Sequence, residues 1–194
     1  HEDTAAAAAA AAASDPAVYV IAGAPCSGKS SLVDALKASG LRTEPETAER
    51  MIQQGLASGS TAERLRSDAV EWQLSLMRED YALFERLFTS PAGSTVLTDT
   101  SFVETAVFSR RAGIALGPRV EAWLRSPRRR YRTVFFLAPL EEYYETDVRV
   151  ESREVAASIS TDVQAEYERL GYELVVVPPL PIEERCQFIR SRLL

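Results

Sequence analysis

Nine consecutive residues constrain this chain more than any other feature: Gly23-Ala24-Pro25-Cys26-Ser27-Gly28-Lys29-Ser30-Ser31. The first eight match G-x-x-x-x-G-K-[S/T], a loop whose backbone N–H groups cradle phosphate oxygens. The flanks give the match its weight. Val18 to Ala22 is a continuous apolar run bounded by Pro16 and Gly23, the pattern of a strand buried on both faces. Leu32, Val33 and Leu36 then recur at helical spacing up to Gly40, a candidate C-cap. Between a strand and a helix, glycines let the backbone approach an anion, and the helix N-terminus adds partial positive charge. In that setting Lys29 is expected to reach the β and γ phosphates of ATP, and the Ser30 hydroxyl to ligate Mg2+. Only Lys29 and Lys37 are lysines among 22 basic residues, so the lysine in the loop stands out against arginine as the default cation. It suits a position where a planar guanidinium is too bulky. Cys26 fills a variable position of the loop and reads as a small residue that fits, not as a catalyst.

Strands and helices alternate beyond the loop. A short candidate strand, Leu-Arg-Thr at 41–43, precedes a helix over 47–60. From Thr61 to Thr89 the residues Leu65, Ala69, Trp72, Leu76, Leu83 and Leu87 recur at three-, four- or seven-residue steps, which predicts one long amphipathic helix. Strands are expected at 94–99, 133–139 and 173–178. Helices are expected from Phe102, from Pro118, over the stretch ending near Gly171, and after Pro181. The fold class is therefore α/β, a three-layer sandwich of the P-loop NTPase type with a mostly parallel sheet.

Size and charge narrow the partners. With 194 residues the chain suits one domain over 15–194, and the alanine-rich residues 1–14 read as a low-complexity extension or cloning remnant. The net charge of −6 argues against nonspecific nucleic-acid binding. No apolar run approaches the roughly 20 residues of a membrane span. The sole histidine is His1, so histidine-based triads are not expected, and Cys26 and Cys186 read as free thiols of a cytoplasmic protein.

A phosphoryl transfer site needs more than the loop. Asp99, closing its strand, is placed to hold magnesium through water or to accept a proton; capping the helix from Phe102 is the competing use, unless Thr100 or Ser101 serves instead. Glu46 either faces an acceptor or is a first-turn glutamate favoured by the helix dipole, with Glu44 a weaker substitute. Arg149 and Arg153, four residues apart, are either lid cations or solvated partners of Glu145, Glu151 and Glu154.

These segments resemble the small P-loop proteins known as AAA-domain predicted ATPases, relatives of ribosylnicotinamide and other nucleoside-type kinases. The resemblance runs through "VIAGAPCSGKSSLVDALKASG", "PETAERMI", "TDTSFVETAVF", "VFFLAPLEEYYETDVRVESREVA" and "EYERLGYELVVVPPLPIEER". It implies a kinase-like fold with a lid, ATP and magnesium as cofactors, Asp99 in the acidic position, Glu46 on the acceptor side and Arg149 in the lid. Two departures stand out: Thr100-Ser101 replace the arginine-containing D-R-G or D-R-S of many relatives, and Asp147 lies only two residues before Arg149. The leading expectation is a phosphotransferase for a small hydroxylated or nucleoside-like acceptor. The other is a nucleotide-binding ATPase or regulatory switch acting on a protein partner.

Overall fold

The computed structural model describes residues 15–23, 27–125, 130–137 and 153–193, with the backbone alone at 153. The described residues form five strands and eight helices: β1 (Ala17–Gly23), α1 (Lys29–Ala38), β2 (Arg42–Glu44), α2 (Thr47–Ala57), α3 (Ala62–Leu65), α4 (Ala69–Leu87), β3 (Thr95–Asp99), α5 (Phe102–Arg111), α6 (Pro118–Leu124), β4 (Thr133–Leu137), α7 (Arg153–Arg169), β5 (Leu174–Val177) and α8 (Ile182–Arg190). The strands make one sheet in the order β2-β3-β1-β4-β5, parallel at every pairing.

All seven residues of β1 are buried, as expected of the central strand of a covered parallel sheet. Their alternation divides the interior. Val18, Val20 and Ala22 join Val96, Val134 and Phe136 against α4, α5 and α7. Tyr19 and Ile21 join Leu97, Phe135 and Leu137 on the opposite face, against Leu32 and Leu36 of α1 and Ile189 of α8. The period of two thus builds a three-layer sandwich, with both faces of one strand buried under different helices.

One sequence expectation changes. The helix read as continuous from Thr61 is two helices, because polar caps interrupt the apolar rhythm. Thr61 accepts from the Arg64 N–H at 3.1 Å and starts α3. Asp68 accepts from the Glu71 N–H at 3.0 Å and restarts the chain as α4. Leu65 therefore belongs to α3, where it packs against Gly55 of α2; a Cβ on that glycine would lie 2.4 Å from Leu65 Cδ1. The first helix ends as expected at Gly40, in a Schellman motif with the Leu41 N–H donating to Leu36 O at 3.2 Å.

The carboxyl ends of β1, β3 and β4 lie side by side, with Ile21 opposite Asp99 and Gly23 opposite Leu137. Ligands of open parallel sheets collect at this edge. The segment expected to form a lid, with Arg149, lies outside the described residues, as do 1–14.

Candidate functional site

The loop leaves the sheet at Gly23, with φ of 151°. A Cβ there would lie 3.0 Å from Leu137 O and 3.0 Å from Ser27 Oγ, so only glycine turns here without displacing β4 or the loop itself. Gly28 precedes α1 in the left-handed region, φ 81°, and supplies no side-chain cap to the first turn. That leaves a helix N-terminus suited to an anion. Lys29 folds back, its Nζ donating to Gly23 O at 2.7 Å, while Ser30 and Ser31 are exposed. From the far side of the chain, the buried Arg185 of α8 donates through Nη1 to Ser27 O at 3.4 Å. Ala24, Pro25 and Cys26 lie outside the described residues.

Asp99 ends β3 beside this loop and is only 6% exposed. Burial pushes its carboxyl up to about 6; Lys29 opposes the rise and the Glu46 charge adds to it. It is not the cap of the following helix. Ser101 performs that role, its Oγ accepting from the Val103 N–H at 3.1 Å. Thr100, between them, holds φ of 69°, unusual for a β-branched residue. Three bonds keep it there: its N–H donates to Ile21 O at 3.3 Å, its Oγ1 donates to Asp99 Oδ1 at 3.2 Å, and its carbonyl accepts from Thr98 Oγ1 at 3.1 Å.

Glu46 stands at the N-cap position of α2 without making a side-chain cap bond, and it lines a cavity instead. Its charge acts on Asp80, Asp99 and Glu104. Glu44 is directed elsewhere, pairing with Arg42 at 3.3 Å and Arg86 at 4.0 Å. Lys29, Glu46 and Asp99, expected from the sequence, are therefore brought together.

The cavity, about 180 Å³, lies between α2, α4 and α5, with Glu46, Trp72, Gln73, Asp80, Thr105 and Phe108 among its walls. Thr105 and Phe108 are the contribution of α5, which the sequence did not signal. Asp80 is 7% exposed and accepts a hydrogen bond from the Thr105 hydroxyl. Burial raises its carboxyl to about 6 against the pull of the Thr105 hydroxyl.

A second unforeseen acid lies deeper. Glu104, 1% exposed, accepts from the Gly23 N–H at 3.3 Å and from the Tyr167 hydroxyl at 3.4 Å. Burial raises it to about 8, with Lys29 the largest opposing influence. A trace of both acids was present in the sequence. Each interrupts an apolar helical face, Asp80 between Leu76 and Leu83, and Glu104 between Val103 and Ala106.

The chain matches the family described as AAA domain over residues 18–185. No curated protein matches it. Among solved structures it is similar to deoxyadenosine kinase from M. mycoides bound to dCMP and dCDP, with a TM-score of 0.62 and 12% identity over 90% of this chain and 97% of that one. It is similar to NadR protein in complex with NR, with a TM-score of 0.64 and 17% identity over 91% of this chain; it spans about half, 51%, of that one. Thymidylate kinase from Candida albicans gives a TM-score of 0.54 and 13% identity, covering 92% and 91%. The fold is that of the P-loop kinases.

Proposed function

The chain belongs to the AAA-domain family, and from that premise we propose that it is an ATP- and Mg2+-dependent phosphotransferase acting on a small hydroxylated or nucleoside-like acceptor. One observation carries the reading: Glu46 and Thr100 line a recessed cavity, and Asp99, next to Thr100, feels the charges of both Glu46 and Lys29 of the glycine loop. A switch that acts only on a protein surface has no need of such a cavity. The nucleoside-type kinases among the similar structures support the same class of acceptor.

The residues present fit a nucleotide. Gly23 makes a turn packed too closely for any Cβ, Gly28 opens an uncapped helix N-terminus, and Lys29 reaches back with its Nζ to Gly23 O. Bound there, ATP supplies the phosphoryl group, and magnesium neutralises part of its charge. Residues 23–31 hold the phosphates in this reading, Lys29 balances their charge, and Ser30 and Asp99 hold the metal, Asp99 through water. In this reading Asp99 also takes a proton from the acceptor hydroxyl, Glu46 orients that hydroxyl, and Arg149 is the cation for the charge on the transferred group.

The test is a screen of nucleosides, sugars and vitamins for ADP release that depends on the acceptor. Asp99→Asn is expected to lower turnover by about 10²-fold or more while nucleotide binding survives. Lys29→Ala is expected to weaken nucleotide binding by about tenfold to a hundredfold. Hydrolysis stimulated by a protein partner, with no acceptor effect across the screen, would replace this reading with a regulatory ATPase.

A further inference from the structure

We infer that Glu104 is a positioning residue for the phosphate loop: it fixes the Gly23 peptide from within the core, and so governs how the loop and Lys29 meet a nucleotide that Glu104 itself cannot touch. The inference rests on the nucleotide-binding reading above.

Gly23 is held through both of its backbone polar groups. Its N–H donates to Glu104 Oε1 at 3.3 Å, and its carbonyl accepts from Lys29 Nζ at 2.7 Å. Glu104 is in turn held by a buried relay. Tyr167, fully buried on α7, donates to Glu104 Oε2 at 3.4 Å and shares a 2.7 Å hydrogen bond with Ser101, the cap of α5. The first residue of the loop is thereby tied to two helices that pack on the far side of the sheet from α1. An alanine at 104 would leave the Gly23 N–H without this acceptor, and a buried unpaired amide is costly. At 1% exposure, Glu104 acts through Gly23.

Charge adds a signature that simple packing lacks. The groups facing Glu104 are Lys29 from α1, Glu46 before α2, Asp99 from β3, Tyr131 before β4 and Tyr167 from α7. With its carboxyl raised to about 8, Glu104 is largely neutral at pH 7 and becomes an anion in mild alkali. Lys29 is the nearby cation that opposes this rise, and nucleotide phosphates draw on the same cation. An anion at Glu104 therefore competes with them for Lys29 and repels them directly, and nucleotide binding favours the protonated acid.

The experiment is calorimetric titration of the intact chain with ADP and Mg2+ between about pH 7 and 9, with thermal melting as a check on folding. Wild-type affinity is expected to fall by about tenfold across this range. Glu104→Gln, neutral and of the same shape, is expected to bind within about threefold of wild type at pH 7 and to lose the alkaline fall, whereas Glu104→Ala binds about tenfold more weakly throughout. Tyr167→Phe removes a donor that favours the anion, so it moves the midpoint to higher pH. An alkaline fall unchanged in Glu104→Gln, or wild-type affinity in Glu104→Ala, would overturn the inference while leaving the nucleotide site standing. Absence of ADP binding by the wild-type chain at every pH would overturn both.

Discussion

At the scale of single residues, the site is governed by burial of acids beside one lysine. Asp99 is raised to about 6, so at neutral pH it is mostly ionised and able to accept a proton, while below pH 6 it is protonated and cannot. With Asp99 as the proposed base, kcat/KM for the acceptor, which reports the free enzyme, is therefore expected to rise with pH along a limb near 6. Asp99→Asn should abolish that limb, and a limb surviving in the variant would move the base elsewhere. Thr100 marks the same corner from the backbone side. A β-branched residue in the left-handed region costs on the order of 1–3 kcal/mol, and it persists because its amide, hydroxyl and carbonyl are all engaged.

At the scale of elements, helix starts decide which side chains line the cavity. Asp68 begins α4, and with it the phase that directs Trp72, Gln73 and Asp80 into the cavity. Asp68→Ala is expected to cost about 1 kcal/mol and lower the melting midpoint by about 2–4 °C, since an exposed cap contributes little else. An unchanged midpoint would mean that packing alone sets the start of α4. Ser101 does the corresponding work for α5, which frees Asp99 from capping and leaves Glu104 one turn further on, under the loop. Helix α8 reaches the site through Arg185, whose bond to Ser27 O spans 158 positions of sequence.

Across the whole molecule, the buried acids link folding to protons. Asp80 and Asp99 are raised from 3.8 to about 6, and Glu104 from 4.5 to about 8, so the folded chain holds more protons than the unfolded chain between those values. The stability these three groups contribute is complete below their unfolded values, is lost as pH rises through about 6 for the two aspartates, and falls further up to about 8 for Glu104. Glu166 works in the opposite sense. Burial pushes its carboxyl up, but pairing with Arg169 at 2.6 Å and Arg110 at 2.8 Å outweighs that and lowers it, so its contribution is present at neutral pH and lost in acid. Melting midpoints should therefore decline from mildly acidic to mildly alkaline pH, and Glu104→Gln should flatten the part of the decline above neutrality. A wild-type midpoint that rises over this range would contradict the burial of these acids.

The strand and helix that flank the loop, most of the order of strands and helices, and the carboxylates Glu46 and Asp99 beside Lys29 as candidates to examine were legible in the sequence, because each rests on local chemistry. Glycine and lysine at fixed spacing, apolar runs of strand length and a carboxylate at a strand end carry their meaning within a few residues. What only the tertiary structure decided is pairing over long separations. The neighbours of β1, the cavity closed by α5 against α4, and the contacts of Glu104 and Arg185 with the loop depend on which helix face meets which strand. Periodicity shows that a face is buried but not what lies opposite it. An acid in such a face reads as an interruption until packing sets a backbone N–H or a hydroxyl against it. The physical reason is that local sequence sets backbone shape, whereas the environment of a buried charge is set by every element packed around it.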